Sequence, residues 1–382
     1  YTSRGSQTYK ADSYPNNGTD TAFTASGQNI TFNDAGAGTL LLSNSTNLKI
    51  DTGSGAIGNI SIGREITNTA GDADDAVDVE LIAGTGSVSL TTISGYINDV
   101  AISGSHADGI TLNGNITTAT DSDDGSGVSG IVTLTGPVTL AENITIDTDS
   151  TSNNGAVTFS STVDGTKTLT ITSGSGAVQF GGDVGATTVL SDLTVNSSAG
   201  TGAITFSGNV GANATTAGAA AVTIGNNDTA SITFAGVEFT TSGAQLFKAD
   251  AYSITGADST FGSANANITF SDGGADGGIT LADIADLTIT TEVGGGGGGN
   301  IAVNIPIAGT AGNGDDATDI TMDAGTGTIS IEDISTDIND VLLTSTGGIS
   351  LNGTITTAVD TDETGATSGI CLLYTSPSPR DS

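Results

Sequence analysis

Gly200-Thr-Gly-Ala-Ile-Thr-Phe-Ser-Gly-Asn-Val-Gly211 is the stretch on which the fold turns. Ile204, Phe206, Gly208 and Val210 stand two residues apart. An extended chain therefore carries them on one face and Thr205, Ser207 and Asn209 on the other. The same template recurs at Val157-Thr-Phe-Ser-Ser-Thr-Val163, at Val178-Gln-Phe-Gly-Gly-Asp-Val184 and, more loosely, at Ile232-Thr-Phe-Ala-Gly-Val237. Its starts are 21, 26 and 28 residues apart. Between copies lies a second short strand, Leu169-Thr-Ile171, Leu193-Thr-Val195 or Val222-Thr-Ile224, set off by Gly, Ser, Asn and Asp turn signals. A solenoid tolerates such unequal spacing, because extra residues leave as loops while the stacked strands keep register.

A longer repeat overlies the short one, with an offset near 240 residues. Ser6-Gln-Thr-Tyr-Lys-Ala-Asp-Ser-Tyr14 matches Ala244-Gln-Leu-Phe-Lys-Ala-Asp-Ala-Tyr252, and Asn29-Ile-Thr-Phe32 matches Asn267-Ile-Thr-Phe270. Ala83-Gly-Thr-Gly-Ser-Val-Ser-Leu90 matches Ala324-Gly-Thr-Gly-Thr-Ile-Ser-Ile331, and Leu112-Asn-Gly-Asn-Ile-Thr-Thr-Ala119 matches Leu351-Asn-Gly-Thr-Ile-Thr-Thr-Ala358. The agreement ends at Ser129-Gly-Ile131 and Ser368-Gly-Ile370, after which one copy reads Val132-Thr-Leu-Thr and the other Cys371-Leu-Leu-Tyr. The expected organisation is a first long unit over residues 1–239, a truncated second unit over 240–370, and a tail over 371–382. The tail holds the single Cys and two of the five Pro. It resembles translated sequencing adapter and is set aside from fold reasoning.

Gly, Thr and Asn are poor helix formers, and few segments carry a helical period. The pattern predicts an all-β chain, a parallel β-solenoid of right-handed β-helix type with coils of about 21–28 residues. Tandem β-sandwich domains are the competing architecture. Sandwiches, however, want units near 100 residues and larger aromatics, and this chain has no Trp and 4% aromatic residues. With 42 acidic against 7 basic residues the net charge is −35, which excludes nucleic acid and anionic lipid as partners. A mean hydropathy of +0.07 with regularly spaced Ile, Leu, Val and Phe argues against disorder.

Acidic turns are the candidate metal ligands. Asp72, Asp74 and Asp75 recur as Asp315 and Asp316, and Asp121, Asp123 and Asp124 recur as Asp360 and Asp362. Calcium takes several oxygens at once, and loops of this composition supply them. Neither an EF-hand order nor a Gly-Gly-x-Gly-x-Asp nonapeptide is present, and Asp272-Gly-Gly-Ala-Asp-Gly-Gly278 only approaches one. Solvated turns that keep an apolar rod soluble are the favoured reading, with no cofactor and calcium as the candidate ion.

No catalytic residues are assigned. Arg4, Lys10, Lys49, Arg64, Lys167 and Lys248 are scattered, and the single histidine, His106, sits in a loop that the second copy shortens. Lys10 and Lys248 share the aromatic-Lys-Ala-Asp context, which predicts a surface ion pair beside an aromatic. A glycan or partner contact at Tyr9, Tyr14, Phe247 and Tyr252 is the alternative.

The Gly-Ala-Ile-Thr-Phe-Ser-Gly-Asn-Val and Leu-Thr-Val-Asn-Ser pattern resembles the repeat regions of large bacterial surface proteins, the filamentous-haemagglutinin-like and autotransporter-like adhesins. The resemblance covers nearly all of residues 1–370 and rests on composition and period, with no functional motif to carry over. It implies a non-catalytic stalk or adhesin segment, secreted or held at the outer membrane through other parts of the protein. The implied partner is a host or environmental surface, through a glycan or protein ligand. Absence of Cys before residue 371 fits export through a pore. A β-helical polysaccharide lyase or hydrolase and a calcium-stabilised surface-layer or matrix protein are the competing functions.

Overall fold

The computed structural model describes residues 1–11, 14–16, 20–33, 38–43, 47–53, 55, 57–68, 77–119, 130–149, 154–198, 200–211, 219–272, 277–282, 285–295, 297–310, 318–358 and 371–375. Among these there is no helix, and the strands stack as a parallel β-solenoid. Each full turn carries three short strands. In one turn these are Val157–Phe159, Val163–Asp164 and Thr168–Thr172. They pair in register with Val132–Thr135, Val138–Leu140 and Ile144–Asp147 of the turn before.

Alternation makes this work. Within each strand the apolar residues point inward and the Thr, Ser or charged residues outward, as the burial of Val157 and Phe159 on either side of half-exposed Thr158 illustrates. Because register is in phase from turn to turn, like stacks on like. Phe159 lies on Phe180 with ring centroids 5.2 Å apart, and Phe206 lies on Phe234 at 5.8 Å.

The chain forms two compact units, the first essentially Tyr1–Gly182 and the second essentially Ala203–Ser382. The long sequence repeat, whose expected boundary lies near residue 239, is reproduced in the strand pairing of each unit. Leu48–Asp51 stacks between Thr21–Ala25 and Val77–Ile82, as Leu287–Thr290 stacks between Ser259–Ser263 and Thr318–Asp323. Even an irregularity is copied: register shifts between Val77 and Val79 against Ile97–Ser103, and between Thr318 and Ile320 against Ile338–Ser345. Buried hydroxyls close equivalent corners. Thr52 Oγ1 donates to Gly58 O at 2.8 Å, and Thr291 Oγ1 donates to Gly299 O at 2.9 Å.

Three expectations change in detail. Val210 does not share a strand with Ile204 and Phe206. The strand ends at Phe206, the chain turns a corner, and Val210 bridges to Val184 and Phe239 on the next face. All three side chains still reach the interior, because each face of a solenoid looks inward. The last template copy is out of register: Val237 is 40% exposed, and Phe239, two residues on, takes the buried place. Turn lengths run from 20 to 33 residues, wider than 21–28, because the segments between strands absorb the difference. Cys371–Thr375 pairs with Val341–Ser345 in the register by which Val132–Thr135 pairs with Val100–Ser103. Main-chain pairing at a sheet edge is indifferent to sequence.

One turn holds two adjacent non-glycine residues in the left-handed region, one of them β-branched. Thr336 and Asp337 both lie in the left-handed region, at φ 58° and 50°, where the first copy has Gly95 at φ 84° ahead of Tyr96. A β-branched residue pays 1–3 kcal/mol there, roughly, against less than about 1 kcal/mol for the extra chain entropy of Gly. Thr336→Gly is therefore expected to stabilise the protein by about 1 kcal/mol in urea titration. An unchanged or lower midpoint would show that Thr336 is not strained.

Candidate functional site

The ten candidate calcium ligands, Asp72, Asp74, Asp75, Asp121, Asp123, Asp124, Asp315, Asp316, Asp360 and Asp362, lie outside the described residues. Among the described residues, no three His, Cys, Asp or Glu side chains are grouped to hold a metal ion. If the acidic turns are solvated loops, millimolar calcium leaves the melting temperature unchanged; a rise of several degrees would assign them as ligands.

What the described acidic and amide side chains do is join turns. An Asn or Asp just before a strand, or within its first three residues, uses its Oδ1 to accept a backbone N–H from the next turn. Asn29 accepts from Asn59 N–H and Asn59 from Ser87 N–H, both at 2.9 Å. Asn47 accepts from Asp78 N–H, Asp78 from Asp99 N–H and Asp99 from Ile131 N–H. The second copy repeats the row with Asp286, Asp319 and Asp340. Such ladders satisfy strand-start N–H groups that the corner geometry leaves without a main-chain partner.

One such row edges a groove in the first unit. Ala22, Lys49, Glu80 and Ala101 are in-register neighbours on four successive strands, and all four point outward. Lys49 Nζ and Glu80 Oε2 form an ion pair at 2.6 Å across the middle, while the alanines leave the two ends low. Asp20, Asn47, Asp78 and Asp99 line one side of this open groove, whose volume is about 440 Å³.

The other residues singled out by sequence fall apart from this groove. His106 is exposed and contacts Asp108 of its own loop at 3.1 Å. Lys10 is exposed, while its partner Asp12 lies outside the described residues. Lys248 and Asp250 are not among the ion pairs of the described residues, which are Lys49–Glu80, His106–Asp108 and Lys167–Glu142. Lys248 ends a strand, and buried Ala249 separates it from half-exposed Asp250, with which it forms no ion pair. Phe247 and Tyr252 are fully buried and are core, not contact residues. Arg64, one of the scattered bases, is 3% exposed beneath the Tyr14 ring, with its guanidinium carbon 5.8 Å from the ring centroid.

No family model, curated protein or solved structure matches the chain.

Tyr252 supplies a pH marker. Burial pushes its hydroxyl well above the ordinary tyrosine value, and the hydroxyl donates to Ser271 O at 2.6 Å. A group whose folded pKa is raised contributes stability that is complete below the unfolded pKa, near 10, and is lost as pH climbs beyond it. Wild type should therefore lose stability above about pH 10, and Tyr252→Phe should lose less over that interval. Equal alkaline slopes in denaturant titrations would refute the assignment.

The groove escaped sequence reading because Lys49 and Glu80 are 31 residues apart, beyond the expected turn length. The signal was present in the long repeat: aligning the copies sets Lys49 against Thr288 and Glu80 against Thr321, a charged pair where the other copy is neutral.

Proposed function

We propose that this chain is a structural segment of an exported bacterial surface protein, a stalk or adhesin repeat of filamentous-haemagglutinin-like or autotransporter-like kind that works by extension and display. One observation carries the reading: on one face the interior is kept between long repeats while the row of outward side chains between the acidic ladder and the core drifts. Phe23, Ile50, Leu81 and Ile102 stack inside the first copy where Phe261, Ile289, Met322 and Leu343 stack inside the second. Outside, Ala22, Lys49, Glu80 and Ala101 are replaced by Thr260, Thr288, Thr321 and Leu342. A protein selected for length and a presented surface needs the stack preserved and is free to vary what faces out. A catalytic groove would instead hold its outward residues to the geometry of one reaction.

The test is export. The chain is placed between an export signal and an outer-membrane anchor in a Gram-negative host. It should reach the cell surface folded, bind antibody on intact cells and resist added protease until detached. Retention inside the cell, or release of new sugar ends from acidic polysaccharides by the purified chain, would count against a stalk and for the enzyme reading.

A further inference from the structure

The groove of the first unit has alanines at both ends and a central ion pair where the second copy has Thr260, Thr288, Thr321 and Leu342, although the second copy keeps an acidic row as Asp258, Asp286, Asp319 and Asp340. It follows the stacking direction over four strands, roughly 14 Å at ~4.8 Å per strand, the reach of about four residues of extended polypeptide. Its low points are Ala22 and Ala101, so apolar surface is open at either end of the Lys49–Glu80 pair. Asp20, Asp78, Glu80 and Asp99 set four carboxylates against a single lysine.

We propose that this groove docks a short extended peptide segment carrying lysine or arginine side chains at alternate positions. Alternation places two such side chains on one face of the segment, toward the carboxylate row. The intervening small residues lie over the alanines. Charge complementarity selects the partner: the lining carries three more negative than positive charges, within a chain of net charge −35. A neutral glycan would donate hydroxyls to the carboxylates but gain nothing from that field. Binding is a property of the purified chain, so its failure would leave the export reading untouched, and the failure of export would leave binding untouched.

The second copy supplies the control. Its side chains at the four outward positions are Thr260, Thr288, Thr321 and Leu342, each borne on the same strand pairings. Transplanting them, as Ala22→Thr, Lys49→Thr, Glu80→Thr and Ala101→Leu together, fills the groove with residues this scaffold already carries. One basic and one acidic residue are removed together, so the net charge is unchanged.

The probe is a fluorescein-labelled acetyl-Lys-Ala-Lys-Ala-Lys-amide peptide, followed by anisotropy against the full chain at low ionic strength. Circular dichroism and the melting temperature check that the variant is folded. The expected result is saturable binding that weakens as salt is added, and that is weaker by about 10-fold or more in the four-residue variant. Equal binding by wild type and variant would reduce the effect to general surface charge and overturn the proposal. So would the absence of saturable binding, or equal binding of the matching glutamate peptide. Should the variant fail to fold, Ala101→Leu alone, which blocks one end, must still weaken binding, and no change would again overturn the site.

Discussion

Phe234→Ala should lower the stability of the second unit by about 3–5 kcal/mol, the range for removing a fully enclosed ring. Phe234 is 2% exposed and sits where rings of successive turns converge. Its centroid is 5.8 Å from stacked Phe206, and 5.3, 5.3 and 5.0 Å from Phe239, Phe247 and Phe261, all three edge-on. Each such pair adds about 0.5–1.5 kcal/mol beyond burial alone. The strand pairs above and below hold the backbone in register, so the walls cannot close over the missing ring. Phe234→Leu refills part of the volume and should cost clearly less. Urea titration of both variants by near-ultraviolet circular dichroism gives the comparison. A loss under about 1 kcal/mol for the alanine variant would mean that the rings do not form one packed cluster.

Gly109→Ala should be nearly as damaging, for a reason unrelated to the core. Gly109 has φ 51°, and a Cβ built on it would stand 1.9 Å from the carbonyl oxygen of Pro137 in the adjoining turn. Two costs combine: about 1–2 kcal/mol for an L-residue in the left-handed region, and displacement of the neighbouring turn. That displacement threatens two hydrogen bonds, Val88 N–H to Gly109 O at 2.9 Å and Ile110 N–H to Pro137 O at 2.7 Å. A total of about 3 kcal/mol or more is expected. Gly294 separates the terms, since at φ 86° it has nothing within 4 Å of a built Cβ. Gly294→Ala should show the conformational cost alone. Equal effects of the two substitutions in thermal melts would show that close approach of turns is not what Gly109 serves.

The inward stack was legible because it depends on a local rule. Two-residue alternation in Ile204-Thr-Phe206 or Leu169-Thr-Ile171 fixes which side chains face in, wherever the neighbouring turn lies. Corners were less legible. Val210 and Phe239 took their places from the bend after each strand and not from alternation, so an unbroken period put Val210 on the wrong strand and chose Val237 over Phe239. Arg64 shows a different limit. It occupies the place held by buried Ile305 in the second copy, and an aromatic ring stacked on its guanidinium makes a charged residue tolerable there. The groove needs the pairing of residues one turn apart, which depends on turn length, and turn length is what the intervening segments vary. The Asn and Asp ladders were hidden in the same way: the residues were visible as turn formers, but their acceptor role belongs to the next turn.

In-register stacking of outward positions is the claim on which the fold, the groove and the display reading all rest, and a disulfide pair tests it directly. Thr31 pairs with Ser61 and Ser61 with Ser89 on successive turns. Neighbouring strands stand ~4.8 Å apart and strands two turns apart about twice that, while a disulfide wants Cα atoms roughly 4.4–6.8 Å apart. In a Cys371→Ser background, Thr31→Cys with Ser61→Cys should oxidise to an intramolecular disulfide without loss of fold, and Thr31→Cys with Ser89→Cys should not. A failure of the first pair to close, or equal closure of both, would contradict the solenoid register.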